Sequence, residues 1–191
     1  MKRRIDFDRY KKSEAAPGIN GIIPEDLRRL YCDSNELQSV VKMVDKNNLV
    51  FWKSEGNWSM HQMLLALLEI TGKADVFISS YAMGETPARV LQQLWQNEVI
   101  NNIVCVLDSR VEVRTAGSLQ LIKGFCARMA LVDTHAKVTI IKNDDWNLCV
   151  IGSANYTENK RFEAGIICND VCVAQLHIDW IEKSIKNGNN S

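Results

Sequence analysis

Residues 133–168, DTHAKVTIIKNDDWNLCVIGSANYTENKRFEAGIIC, contain three apolar runs separated by polar segments. The runs VTII and NLCVIG flank the polar tip KNDDW, and this pattern predicts a β-hairpin. FEAGIIC predicts one further strand. The stretch therefore supplies three strands whose ends carry polar side chains.

The chain before this stretch alternates strands with helices. ADVFISSY (74–81) and NNIVCVLD (101–108) predict buried strands, and ETPARVLQQLWQNEVI (85–100) predicts the helix that joins them. Strand, helix and strand with short links predict a parallel unit with a right-handed crossover. The other predicted elements are a helix after Pro24, a helix in 35–48, a strand in 49–56, a helix from Asn57 or Ser59 to Gly72, a helix ending at Gly124, a strand Arg128–Asp133 and a helix in 170–188.

Length and composition indicate one globular domain. The chain has 191 residues, of which 46% are hydrophobic and 24% charged. Lys plus Arg equals Asp plus Glu at 23 each, so an anionic partner must be held by a local site. We predict a flexible basic arm at 1–24, a domain at 25–187 and a disordered tail at 188–191.

The sequence favours a cytoplasmic protein without stable membrane association. No apolar run approaches the roughly 20 residues that span a bilayer, and the basic start MKRRIDFDRY lacks the apolar part of a signal peptide. Six scattered cysteines predict buried free thiols. Cys168 and Cys172 lack a second Cys or His pair nearby, which argues against zinc.

Five polar residues gather around the predicted hairpin. His135 and Lys137, two apart at a strand start, project from the same face. Ser153 and Asn155 follow the return strand, and Glu163 begins the next one. This set suits phosphoryl chemistry, because a lysine and an amide neutralise non-bridging oxygens while an imidazole attacks or protonates and a carboxylate fixes its tautomer.

These residues resemble the phospholipase D superfamily, whose signature is His-x-Lys, an Asp and then Gly-Ser-x-Asn. Here the matching segments are His135-Ala136-Lys137 and Gly152-Ser153-Ala154-Asn155. The resemblance implies an α/β fold, a three-layer α/β/α sandwich with a mixed, largely parallel sheet. It also implies that Glu163 is the carboxylate that orients the histidine.

One position departs from the family pattern. The family usually places an Asp five residues after the Lys, where this chain has Lys142. A hairpin lengthened by about three residues would restore that acid as Asp145, and Asp144 could substitute for it. Taken singly, each matched residue could be an ordinary strand-end or turn residue, and a catalytically silent member of the fold is a further reading.

The resemblance implies a homodimer. In-line displacement at phosphorus needs a nucleophile and a proton donor on opposite sides, and one imidazole cannot serve as both. His61, expected as an exposed or capping residue, and His177, expected at the surface, lack the rest of the motif. Similar single-motif nucleases share one site between two subunits, which implies a phosphohistidine on His135 and no metal or other cofactor.

The resemblance implies a metal-independent phosphodiesterase, and we expect a DNA or RNA endonuclease, because the sequence shows no amphipathic membrane segment that would favour a lipid substrate. A lipid-acting phosphodiesterase and a non-catalytic nucleic-acid-binding module are the alternatives. Four cations flanking the predicted sheet could join the basic arm in contacting phosphates: Arg110, Arg114, Lys123 and Arg128.

Overall fold

The computed structural model describes residues 28–158 and 160–188, so the predicted arm at 1–24 and residues 189–191 of the predicted tail lie outside it. The strands are β1 (Arg28–Cys32), β2 (Asn48–Ser54), β3 (Ala74–Ser80), β4 (Ile100–Asp108), β5 (Arg128–Val132), β6 (Val138–Lys142), β7 (Asn147–Gly152) and β8 (Glu163–Asn169). The helices are α1 (Leu37–Val41), α2 (Met60–Thr71), α3 (Glu85–Gln96), α4 (Val111–Arg114), α5 (Ala116–Lys123) and α6 (Val171–Gly188).

The described strands form one eight-stranded sheet in the order β1-β2-β8-β7-β6-β3-β4-β5. The predicted parallel unit of β3, α3 and β4 is confirmed, and so is the hairpin of β6 and β7. The mixed, largely parallel character of the sheet is confirmed, because six of the described strands run in one direction and only β6 and β8 run in the other. Three pairs are parallel and four are antiparallel, because β8, β7 and β6 are inserted between the two parallel parts.

Helices cover both faces of the sheet, which confirms the three-layer α/β/α sandwich. On one face, apolar side chains of α2, α3 and α5 pack against the strands, led by Leu64, Leu67, Leu91 and Ile122. On the other face, α6 packs its apolar stripe against β3 to β8, with Ala174, Ile178, Ile181 and Ile185 buried. None of the described helices is both long and apolar enough to cross a membrane.

The first described element differs from its prediction. Residues 28–32 form a strand rather than part of a helix, because β1 pairs in parallel with β2 over its whole length. Cys32 is buried and Leu30 packs against the core, whereas Tyr31 on the opposite face is exposed and stacks on Phe51. A long-range partner has overridden the local helical pattern.

The two histidines outside the motif are at least partly buried, and the cysteines are free. His61 is buried rather than exposed, and its Nδ1 lies 2.8 Å from Oγ of Ser59, the N-cap of α2. His177 is half-buried and its Nδ1 accepts a hydrogen bond of 2.9 Å from Trp180. All six cysteines are free, as predicted; four are buried, whereas Cys126 is partly exposed and Cys172 is exposed.

Candidate active site at the carboxyl edge of the sheet

Strand directions collect the polar residues at one edge of the sheet. β3, β4 and β5 are mutually parallel, and β7 runs the same way because two antiparallel pairings separate it from β3. Their carboxyl ends therefore lie together, beside the amino ends of β6 and β8. Ligands of open α/β sheets bind at such a carboxyl edge.

His135 and Lys137 lie in the segment that joins β5 to β6. Lys137 Nζ donates to the His135 carbonyl oxygen at 2.7 Å and lies 3.3 Å from His135 Nδ1. An ammonium group can only donate, so Nδ1 is the acceptor in this contact. Partial burial lowers the pKa of Lys137, while the nearby carboxylates of Glu163 and Asp108 act in the opposite direction. The imidazole itself is exposed and accessible to a substrate.

A buried carboxylate holds the start of this segment. Asp108, at the end of β4, is fully buried and accepts hydrogen bonds from the Thr134 amide at 3.2 Å and from the Arg110 amide at 3.0 Å. Arg110 Nε donates to the same carboxylate at 2.6 Å. Hydrogen bonding from Arg110 is the largest cause that lowers the pKa of Asp108 to about 2. The residue before His135 is thereby tied to the sheet.

Ser153 and Glu163 form one hydrogen-bonded unit. Ser153 Oγ donates to Glu163 Oε2 and accepts from the Ala164 amide at 3.1 Å. The preceding Gly152 lies directly against β8, where a Cβ would come within 2.6 Å of the Ala164 carbonyl oxygen. Any side chain at this position would push β7 away from β8, so the close backbone approach requires glycine at position 152.

Asn155 contacts the last residue of β3, Ser80. Its Oδ1 lies 3.3 Å from the hydroxyl of Ser80, which also accepts from the Tyr156 amide at 3.3 Å. Tyr156 is buried and its hydroxyl lies 2.8 Å from Thr139 Oγ1, and this burial raises its pKa. Oδ1 of Asn155 faces Ser80, and among the described residues its amide nitrogen has no hydrogen-bond partner, so this nitrogen is available as a donor.

The structure brings five predicted residues to this edge: His135, Lys137, Ser153, Asn155 and Glu163. Within the described residues, Glu163 bonds to Ser153 and makes no hydrogen bond with His135. The role of Glu163 in orienting the imidazole therefore stays a prediction.

Asp145 and Asp144 are not brought to this edge. Both lie in the turn between β6 and β7, and Asp145 forms an exposed ion pair with Lys46 at 3.6 Å. The five residues of β6, at about 3.3 Å each, separate this turn from the edge that carries His135. Lys142, which stands where the family has its Asp, pairs with Asn147 at the same far end.

The four predicted phosphate contacts divide between the two edges. Arg110 and Arg114 follow β4 and lie beside His135, as their shared contacts with Tyr81 show. Lys123 ends α5 and Arg128 begins β5, which places both at the opposite edge. Arg128 also pairs with Glu182 on α6.

Tyr81 is a site residue that the sequence analysis missed. It directly follows β3, its ring centroid lies 4.8 Å from that of His135, and Lys137 Nζ lies 5.3 Å from the ring. Its position at the carboxyl end of a predicted parallel strand was the available signal, because β4 and β5 end at the same edge. Within the part of the chain that the structure describes, no three His, Cys, Asp or Glu residues cluster closely enough to hold a metal ion.

Two solved structures share the architecture. The phospholipase D family member Nuc from Salmonella typhimurium aligns with a TM-score of 0.55 at 18% identity, over 73% of this chain and 94% of Nuc. NucT from Helicobacter pylori aligns with a TM-score of 0.52 at 16% identity, over 71% of this chain and 96% of NucT. No protein-family model and no curated sequence matches the chain. At these identities the likeness concerns the fold.

Proposed function

We propose that this chain, whose fold is that of the phospholipase D family, is a metal-independent phosphodiesterase that cleaves DNA or RNA. The observation that carries the proposal is the meeting of His135, Lys137, Ser153, Asn155 and Glu163 at one edge of the sheet. An exposed imidazole beside an ammonium group and an amide donor offers a nucleophile and the charge stabilisation that a phosphoryl group requires.

The proposed reaction has two displacements at phosphorus. His135 of one subunit attacks, so that an N–P bond forms while the P–O bond to the leaving group breaks. The leaving oxygen takes a proton from the imidazolium of the partner subunit's His135. That imidazole, now neutral, accepts a proton from water; the resulting hydroxide attacks phosphorus and breaks the N–P bond.

The neighbouring side chains stabilise the charge that develops on the non-bridging oxygens. Lys137 supplies a positive charge beside the imidazole, and Asn155 can direct its amide nitrogen at the phosphoryl group because its oxygen faces Ser80. Ser153 holds the Glu163 carboxylate in place through its hydroxyl. These positively charged and polar donors would perform the electrostatic work that a divalent cation performs in other phosphodiesterases.

The histidine count supports a site shared by two copies of the chain. The sequence contains three histidines. His61 is buried against Ser59 and His177 is bonded to Trp180 on α6. Since neither is available as a second exposed imidazole, the proton donor would come from a second copy, and a twofold homodimer supplies it.

Trapping of the covalent intermediate tests the proposal. We expect that acid-sensitive phosphate becomes attached to His135 when turnover of a phosphorus-labelled oligonucleotide is quenched and the protein is digested under alkaline conditions. Turnover should persist in EDTA. Cleavage that EDTA abolishes and Mg²⁺ restores would refute the mechanism. Inactivity together with tight DNA binding would support a non-catalytic nucleic-acid-binding module. Release of choline from phosphatidylcholine would support a lipid-acting phosphodiesterase.

A further inference from the structure

The ring of Tyr81 is surrounded by three cations. The guanidinium carbon of Arg110 lies 4.7 Å from the ring centroid and that of Arg114 lies 5.9 Å away, while Lys137 Nζ lies at 5.3 Å. Arg114 Nη1 also donates to the Tyr81 hydroxyl at 3.1 Å. The half-buried ring is thus a fixed spacer between the imidazole of His135 and the two arginines.

The charges of the two arginines are balanced differently. Arg110 forms an ion pair with the buried carboxylate of Asp108, so its charge is largely neutralised within the protein. Arg114 is exposed, and among the described residues no carboxylate lies within salt-bridge distance of it. Its side chain is held by Tyr81 alone in that part of the chain. An oriented, uncompensated guanidinium beside a phosphoryl-transfer site is suited to bind an anion.

The chemistry of the candidate substrates decides which anion this is. A polynucleotide strand carries a phosphate on either side of the one that is cleaved. Within one strand of a duplex, successive phosphates are separated by about 3.4 Å along the helix axis. The phosphodiester of phosphatidylcholine has no such neighbour. Lys137 and Arg114 both lie within 5.9 Å of the Tyr81 ring centroid, so a strand whose scissile phosphate sits at Lys137 can present a flanking phosphate to Arg114.

We propose that Arg114, oriented by the hydroxyl of Tyr81, binds the phosphate next to the scissile phosphate and thereby selects a polynucleotide over a phospholipid. This inference rests on the proposed function and specifies its substrate class. Arg114 is a substrate-binding residue in this scheme, and Tyr81 is a positioning residue that acts through it.

Two substrates separate this role from catalysis. A single-stranded oligonucleotide has flanking phosphates, whereas bis(p-nitrophenyl) phosphate has none. We expect Arg114→Ala to lower kcat/KM on the oligonucleotide about tenfold more than on bis(p-nitrophenyl) phosphate. The slope of log affinity against log salt for the oligonucleotide should become shallower by about 0.7, the value for one lost phosphate contact. Tyr81→Phe, which keeps the ring, should shift the ratio of the two kcat/KM values in the same direction by a smaller factor.

Lys73→Ala is the matched control, because it removes an exposed cation that directly precedes β3, at the opposite edge of the sheet, and should leave the ratio unchanged. Equal losses on both substrates, or no loss on the oligonucleotide, would overturn the role of Arg114. Cleavage of bis(p-nitrophenyl) phosphate without cleavage of oligonucleotides would refute the polynucleotide substrate while leaving the proposed chemistry intact. If the wild-type protein cleaves neither compound, the proposed function fails, and the salt slope of oligonucleotide binding, compared between wild type and Arg114→Ala, still decides whether Arg114 contacts a phosphate.

Discussion

A single buried side chain, Asp108, joins three parts of the candidate site. Its carboxylate accepts amide hydrogen bonds from Arg110 and Thr134, and it pairs with the guanidinium group that lies over Tyr81. A buried carboxylate is tolerated in a protein interior when hydrogen bonds and an opposite charge compensate for its lost hydration. The geometry around His135 therefore depends on a residue that does not itself face the substrate.

Asp108→Asn should destabilise the fold. The amide keeps a similar shape but lacks the negative charge, which leaves Arg110 without its buried anionic partner and weakens two backbone hydrogen bonds. Loss of hydrogen bonds to a charged group predicts a decrease of about 1.5–3 kcal/mol in the free energy of unfolding. Urea unfolding measures it. Asp133→Asn is the control, because this exposed carboxylate contacts Arg110 at 3.4 Å and its loss should cost under about 0.5 kcal/mol. Equal effects of the two variants would contradict the role given to Asp108.

The same carboxylate predicts a pH dependence of stability. Its folded-state pKa of about 2 lies below the ordinary value of about 3.9, so the unfolded chain binds its proton first as the pH falls. The stabilisation is fully present above about pH 4 and is lost as the pH falls towards 2. Asp108→Asn should therefore flatten the fall in unfolding free energy between pH 4 and pH 2, as measured by urea titrations at each pH. A wild-type slope in the variant would assign the acid sensitivity to other groups.

Sequence patterns identify some of these residues and miss others for a physical reason. His135, Lys137, Ser153 and Asn155 belong to two short motifs on one hairpin, so local spacing is enough to place them together. Tyr81 directly follows β3 and Asp108 ends β4, and their proximity to His135 arises from the lateral order of β3, β4 and β5. That order depends on contacts distant in the chain, which a local pattern does not contain.

At the scale of elements, the hairpin of β6 and β7 builds one half of the site. The Gly152 amide donates to the Lys137 carbonyl oxygen at 3.2 Å, which returns the Gly-Ser segment to the start of β6. The turn at the other end is anchored by Asn143, whose side-chain amide donates to the Thr71 carbonyl oxygen at 2.8 Å. The active end and the turn of this hairpin therefore have separate roles.

Asp145→Ala should leave turnover within about twofold of wild type, because the residue lies at the turn and loses only an exposed ion pair with Lys46. Asn143→Ala should lower the free energy of unfolding by about 1–2 kcal/mol, since it removes hydrogen bonds to the end of α2 and within the turn. Steady-state kinetics and thermal unfolding of both variants measure these effects. A hundredfold loss of kcat in Asp145→Ala would restore this residue as the motif acid.

Local sequence patterns are sufficient to predict most of the strands and helices. Apolar runs predicted β2 to β8, and Ser59 and Gly72 marked the ends of α2. The prediction failed for 28–32, where a helical pattern forms β1 because β2 offers a parallel partner. Local pattern also does not predict that β8, β7 and β6 lie at the centre of the sheet, since their position is a matter of strand order.

At the scale of the whole molecule, the proposed site requires two copies of the chain, and mixed dimers test this. We expect His135→Asn to abolish turnover while leaving the fold and the dimer intact, because the residue is exposed and does not contribute to the core. General acid-base catalysis alone contributes about 10² to 10⁴ in rate. A dimer of one His135→Asn chain and one wild-type chain should lack a competent site, since each cleavage uses both imidazoles.

Differently tagged chains, refolded together and purified by both tags, provide the mixed dimer, and sedimentation equilibrium provides its mass. Half of the wild-type rate in the mixed dimer would show that each subunit works alone. Full activity of a monomer at micromolar concentration would contradict the shared site in the same way.

The sheet order also constrains how the chain assembles during synthesis. β1 and β2 are synthesised before β8, but one edge of β2 pairs with β8. Leu49 can therefore pair with Cys168 only after β8 has been synthesised. Until then the ribbon of β1 and β2 has no neighbour on that side, and Val50 and Trp52, buried in the finished protein, remain open to other chains. Pairing across so much intervening sequence is slow to form. A nascent chain that stalls before β8 is therefore the species from which aggregation would begin, and chaperone binding to the ribbon of β1 and β2 would protect it.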